Sequence, residues 1–166
     1  MSTELKLKKI MASSKIEPFI RHIRFPFFKN LAEGSKIDFE YPITALVGQN
    51  GTNKSSVLRA LFGSPNNYSL GSLWFSTDVD EIKDGGRSRF IYGYYDKATD
   101  SIVEVIKTRI SKENDPDYWE PSRPLKSDNM APMPSTKIST NQLRTRWKAI
   151  DKNVIYLDFR ATISAF

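Results

Sequence analysis

The residue types with clear chemical potential lie together in Gly48-Gln49-Asn50-Gly51-Thr52-Asn53-Lys54-Ser55-Ser56. This stretch follows the apolar run Ile43 to Val47 and opens a second run, Val57 to Phe62, with helical spacing. A glycine-based turn from strand to helix lets successive backbone N–H groups converge on an anion, and the helix dipole adds to the attraction. Lys54 would then bring positive charge to the β- and γ-phosphates of a nucleotide, and the Ser55 hydroxyl is placed to ligate Mg²⁺. The pattern G-x-x-x-x-G-K-[ST] is met at Gly48, Lys54 and Ser55, but Asn53 stands where the second glycine belongs. Asparagine tolerates positive φ better than most residues, so the turn is expected to form at a strain of roughly 1 kcal/mol. The competing interpretation is a Gly/Asn-rich turn that binds nothing.

With Asn50, Gly51 and the second serine, the loop reads G-x-N-G-x-x-K-S-S. It resembles the loop of ABC-type ATPases of the RecF and SMC kind, AAA-family proteins in which the pattern is usually G-x-N-G-x-G-K-S-S. The resemblance extends upstream, where Ile20 to Phe28, Phe28-Lys29-Asn30-Leu31 and Lys36 to Phe39 look like that family's opening hairpin. It covers about residues 19 to 64. The chain is also similar in general appearance to ATPases of bacterial anti-phage systems, including the PtuA type of Septu systems. The resemblance implies an α/β P-loop lobe with a mixed sheet around the P-loop helix and an antiparallel β subdomain beside it. It further implies ATP and Mg²⁺ as ligands held by Gly48 through Ser56, and a second lobe or homodimer partner that completes the site. A nuclease or DNA is the implied downstream partner.

Positioning the loop requires a strand before it and a helix after it. Ile43-Thr44-Ala45-Leu46-Val47 has the continuous apolar character of a strand buried on both faces and is expected to be the central strand. Val57, Leu58, Leu61 and Phe62 recur at helical spacing, and Gly63 offers a stop, so a helix is expected from about residue 53 to 62. Upstream, Phe19 to Phe25 is β-rich and Pro26 should end its pairing or keep it at an edge. It should form a hairpin with Lys36 to Phe39 across the Glu33-Gly34-Ser35 turn. Phe25, Phe27 and Phe28 either pack in the core or offer a ring to adenine; Lys29 and Asn30 are either an exposed turn or a polar segment near the nucleotide.

Farther along, Leu73-Trp74-Phe75 is a short apolar patch. Ser88 to Tyr95 and Ser101 to Ile110 fit an antiparallel hairpin. Five prolines between residues 112 and 137 argue for a long loop rather than helix or sheet, with Tyr118 and Trp119 pinning it to the core or stacking on a base. A helix from about Thr140 to Ile150, with Leu143, Trp147 and Ile150 on one face, should precede a strand from Asn153 to Phe159.

A chain of 166 residues, 39% hydrophobic, suits one domain, read as a flexible lead-in over 1–18 and a partial ATPase lobe over 19–166. With no cysteine and a single histidine, His22, a thiolate or zinc cluster is excluded, and nothing near His22 in sequence gives it a catalytic partner. No apolar run approaches the ~20 residues that span a bilayer, and Met1 to Lys9 lacks a signal-peptide core, so a cytoplasmic location is expected. The formal charge of +6 includes Lys6-Lys8-Lys9, Arg21 with Arg24, and Arg144-Arg146-Lys148. Each cluster is either a solvated face or a contact for nucleic acid.

A P-loop hydrolase needs a carboxylate for the metal shell and another to orient water, usually at the end of an apolar strand. Only Val154-Ile155-Tyr156-Leu157-Asp158 fits, and Phe159 and Arg160 follow where an acidic base would stand. The serine-glycine signature motif of ABC-type ATPases is missing before it. That run therefore reads as the strand leading into the hinge between two lobes, with the apolar ending Ala161 to Phe166 looking cut short. No catalytic residue is assigned. Two other functions compete with the ATPase lobe: a compact P-loop kinase or GTPase with Asp158 as metal-side carboxylate, and a non-catalytic nucleotide-binding module.

Overall fold

The computed structural model describes residues 2–13, 16–74 and 87–157. Its framework is one antiparallel sheet of five strands in the order β2-β1-β3-β4-β5. The strands are β1 (Ile20–Phe27), β2 (Ser35–Asp38), β3 (Arg89–Asp96), β4 (Ser101–Lys112) and β5 (Asp115–Ser122). Helix α1 spans Thr3–Ala12 and helix α2 spans Lys54–Phe62. Among the described residues no helix is long and apolar enough to cross a membrane.

Strand alternation gives the sheet two different faces. On one, Ile23, Phe25, Phe90, Tyr92, Tyr94, Val103, Val105 and Trp119 form a core with Phe28, Leu70, Trp147 and Ile150, and α2 adds Val57 and Ala60. Phe28 is its hub, with ring centroids 5.2 Å from Phe25, 5.5 Å from Trp74, 5.8 Å from Phe90 and 5.9 Å from Trp119. Each such aromatic removes enough apolar area to contribute roughly 2–3 kcal/mol. Phe25 and Phe28 are thus core residues and not a free stacking platform, and the same holds for Trp119. The other face carries a smaller cluster, Ile91, Ile106 and Met130.

Both expected hairpins form. β1 pairs with β2 through Ile23↔Ile37, and β3 pairs with β4 continuously from Arg89↔Thr108 to Asp96↔Ser101. Pro26 does not end β1. The strand continues to Phe27, and the missing N–H is absorbed at a register shift between Arg24 and Phe27 where β1 faces β3. Gly93 is required where β3 passes β1, because a Cβ there would lie 2.3 Å from His22 Cε1.

Four expectations about the elements are corrected. The proline-rich stretch is not all loop: Asp115–Ser122 is β5, tolerated because it is the last strand of the sheet and one of its sides needs no donors. Residues 140–150 are not helical. They fold as a tight turn closed by the bridge Gln142↔Trp147, by Leu143 N–H to the Arg146 carbonyl (2.9 Å) and by Lys148 N–H to the Asn141 carbonyl (2.8 Å). Side-chain capture overrides helix formation there: Ser139 Oγ and Asn141 Nδ2 both donate to Asp96 Oδ1, at 2.7 and 2.8 Å. Burial acts to raise the Asp96 carboxyl, but these bonds and those from Thr99 outweigh it and hold it below the ordinary carboxylate range.

The expected central strand, residues 43–47, belongs to no ladder, and neither do residues 153–157. Ile43 is 81% and Val47 88% exposed, because no strand among the described residues lies beside them. The sheet around α2 is therefore antiparallel only, in place of the mixed sheet expected. Asp158 and the ending 161–166 lie outside the described residues, as does Phe75. The lead-in contains α1, capped at its start by the Ser2 hydroxyl and with none of its described residues buried.

Candidate phosphate-binding site

Residues 48–53 form an exposed turn that delivers the chain into α2. The turn uses positive φ at three places, Gly48 (151°), Gly51 (82°) and Asn53 (60°). Asn53 adopts the left-handed conformation, with ψ 18°, in the position where the loop pattern has its second glycine. The short amide side chain tolerates that geometry, and Asn53 Oδ1 accepts from Ser56 Oγ at 3.4 Å. Its carbonyl receives the first helical bond, from Val57 N–H at 3.0 Å.

The result is a helix N-terminus without a side-chain cap and without an acidic residue in its first turn. Among the described residues the N–H groups of Lys54, Ser55 and Ser56 have no hydrogen-bond partner. Those donors and the positive end of α2 face a shared need for an acceptor, which an anion satisfies. Ser55 is exposed, whereas Ser56 is buried against the core side of the helix. Of the two hydroxyls, Ser55 is the one available to a metal ion.

Lys54 folds back onto the loop. Its Nζ donates to the Gly48 carbonyl (2.8 Å), to the Gln49 carbonyl and to Thr52 Oγ1 (3.3 Å), while Thr52 Oγ1 donates to the Gln49 carbonyl at 2.9 Å. The ammonium thus closes the turn internally, and reaching a phosphate requires it to exchange carbonyl acceptors for phosphate oxygens. The residues present fit a phosphate group: free main-chain donors, a cation within the turn and no acidic residue in the first turn of α2. Gln49 contributes its carbonyl to the turn, the side chains of Gln49 and Asn50 make no hydrogen bond among the described residues, and Gly51 supplies the positive φ. No protein-family model, curated protein or solved structure matches the chain.

Other polar features lie away from the loop. On the far face of the sheet, Arg24 grips Glu104 with two bonds, Nε at 2.8 Å and a second guanidinium nitrogen at 2.7 Å, and donates to the Asp128 carbonyl at 2.6 Å. His22 Nε2 lies 3.0 Å from the same carboxylate, and Arg89 forms a two-bond pair with Asp128 at 2.7 Å. Burial would raise the Glu104 carboxyl, but Arg24 and His22 overcome it and bring it down to about 2. Among the described residues no group of three or more acidic or histidine side chains could hold a metal ion. The alternation of β1 places His22 and Arg24 on one face, but their partner Glu104 comes from β4, a distance in sequence that no local pattern reveals.

Lys107 is the other residue that sequence reasoning passed over. It is 3% exposed, and among the described residues its hydrogen-bond acceptor is the Pro65 carbonyl at 3.5 Å, so burial pulls its ammonium down to about 8. The basic clusters have separate fates. Arg24 is consumed in the far-face network, Arg21 pairs with Glu17, and Lys8 pairs with Glu4 on α1 at 3.0 Å.

Proposed function

We propose that this chain is the nucleotide-binding lobe of an ABC-type ATPase, binding ATP·Mg²⁺ at residues 48–56. The observation that carries the proposal is the turn into α2, with Asn53 left-handed and the first three helical N–H groups unpartnered. In this reading Lys54 leaves its loop carbonyls for the β- and γ-phosphates, and Ser55 ligates Mg²⁺, which would supply charge neutralisation at those phosphates. ATP-driven association with a second lobe or a second copy then controls a DNA-acting or nuclease partner, as the likeness to anti-phage ATPases suggests, in the cytoplasm.

Titration calorimetry with ATP·Mg²⁺ tests the assignment. Lys54→Ala should weaken binding by ~10-fold or more, the scale of one charge-assisted hydrogen bond, with an unchanged unfolding transition. Equal affinity in the two proteins would remove the assignment. The purified chain should turn over ATP negligibly, because the loop supplies only one side of the γ-phosphate environment. Robust turnover abolished by Asp158→Asn would instead promote the compact P-loop enzyme.

A further inference from the structure

The basic cluster at Arg144, Arg146 and Lys148 is left over from the pairings described above. Among the described residues these side chains and that of Lys137 make no ion pair and no hydrogen bond, whereas Arg21, Arg24, Arg89 and Arg109 each meet a carboxylate. From Asn129 to Ile150 the sequence contains no acidic residue. Local charge is therefore unbalanced along the whole segment.

The backbone that carries these cations is held firmly without them. Gln142 and Trp147, the bridged pair of the tight turn, are 4 and 8% exposed. The Gln142 side chain accepts from the Ile138 N–H at 3.0 Å and donates to the Pro134 and Thr136 carbonyls at 3.1 and 3.0 Å, which fixes the segment bearing Lys137 to the turn. Tyr94 Oη donates to the Lys148 carbonyl at 3.1 Å, and the bonds from Ser139 and Asn141 to Asp96 tie the turn to the end of β3. Lys137, Arg144 and Lys148 are exposed and Arg146 is half-buried. None of the four holds the shape, so all are free to serve a ligand.

The side chains between them select its class. Ile138 and Leu143, next to Lys137 and Arg144, are 47 and 37% exposed. A phosphodiester backbone has no apolar group with which to cover them, and the turn's one aromatic ring, Trp147, is buried and gives a base nothing to stack on. An anionic bilayer takes its hold from a continuous apolar face, which two separate side chains do not make. A protein segment in which carboxylates alternate with aliphatic side chains answers both features at once.

We propose that residues 137–148 dock an acidic, aliphatic segment of a partner protein. Its carboxylates lie on Arg144, Arg146 and Lys148, where the guanidinium forks accept them through paired hydrogen bonds, and its aliphatic side chains cover Leu143 and Ile138. The surface shares no residue with 48–56, and the proposal takes nothing from the nucleotide reading.

Fluorescence anisotropy without nucleotide tests it. The probe is a short labelled peptide of alternating glutamate and leucine, and its control has serine in place of leucine. The probe should bind the wild type ~3-fold or more tightly than the control, and Leu143→Ser should remove that preference. Arg144→Gln combined with Lys148→Gln should weaken the probe by ~10-fold or more with an unchanged unfolding transition. If that double variant melts lower, Lys137→Gln, outside the turn, carries the test with a ~3-fold loss. Lys54→Ala should bind the probe as the wild type does, whatever its affinity for ATP. No binding at millimolar probe, equal affinity for probe and control, or equal affinity of the charge variants and the wild type would each overturn the proposal, as would a loss in Lys54→Ala. A labelled single-stranded oligonucleotide, or vesicles of phosphatidylserine and phosphatidylcholine, bound more tightly than the probe and released by the double variant would assign the turn to nucleic acid or to a membrane surface instead.

Discussion

Residues 90–94 and residues 43–47 are both short runs of apolar, strand-forming residues, and they end in opposite states. Phe90, Ile91 and Tyr92 are fully buried between β1 and β4, while Ile43 and Val47 stand almost wholly in solvent. Composition does not separate them; neighbours do. β3 has a partner on each side to satisfy its backbone and two faces of side chains to cover it, whereas 43–47 has no strand partner among the described residues and packs on the core through Leu46. Strand propensity is a fitness for a pleated, half-buried surface, and it is realised only where such a surface exists.

The largest test of that contrast is a matched pair of truncations followed by urea unfolding. Phe28→Ala removes the hub of the aromatic core and should destabilise by about 4 kcal/mol. Ile155→Ala, at an 84% exposed position, should change stability by less than about 0.5 kcal/mol. A comparable loss at Ile155 would mean that the open run is packed and would dissolve the contrast.

The far face of the sheet gives a smaller, pH-dependent effect. Glu104→Ala leaves Arg24 and His22 without their carboxylate and should destabilise by about 2 kcal/mol. Because the folded carboxyl titrates at about 2, below its ordinary 4.5, its contribution is whole above that ordinary value and is lost as the pH falls from 4.5 towards 2. Glu104→Gln should therefore flatten the acid limb of stability against pH in that window. An unchanged acid limb would show that the network adds nothing to the sheet.

Lys107 is expected to act in the opposite direction. Lys107→Met keeps the side-chain volume without the buried ammonium and should stabilise by about 1–2 kcal/mol at neutral pH. The folded amine titrates at about 8 rather than 10.5, so the native protein gains stability as pH rises through that interval, where the unfolded chain still holds the proton. The advantage of the methionine variant should fade over the same interval; a constant difference would assign it to packing alone. Asn53 should give the smallest effect. Asn53→Gly preserves the left-handed turn and should alter stability by less than about 0.5 kcal/mol with equal or tighter ATP·Mg²⁺ binding, whereas Asn53→Ala should lose about 1 kcal/mol. Melting curves and calorimetry read both, and equal behaviour of the two variants would remove the special role of the turn.

What was legible in the sequence was local. The Leu58, Leu61 and Phe62 spacing gave α2 to within a residue, the two hairpins followed from alternation and turn residues, and positive φ at Asn53 followed from the loop pattern. What was not legible depended on position in the sheet. Pro121 argued against a strand until β5 proved to be an edge, and Trp147 and Ile150 suggested a helix until Asp96 drew Ser139 and Asn141 into hydrogen bonds. The continuous apolar run 43–47 announced burial on two faces, a statement about neighbours that the run itself does not contain.

The Tyr92 hydroxyl donates to the Ser64 carbonyl at 2.8 Å and accepts from the Ile150 N–H at 3.1 Å. Burial pushes its ionisation far above the ordinary tyrosine range, so the hydroxyl keeps its proton at neutral pH. Ser64 follows the end of α2, and Ile150 leads directly into the second open run. A single hydroxyl rooted in the middle strand thus moors the end of α2 and the start of residues 150–157 to the same point of the sheet. Tyr92→Phe would fill the same volume but leave the Ser64 carbonyl and the Ile150 N–H without that partner, releasing both moorings at once.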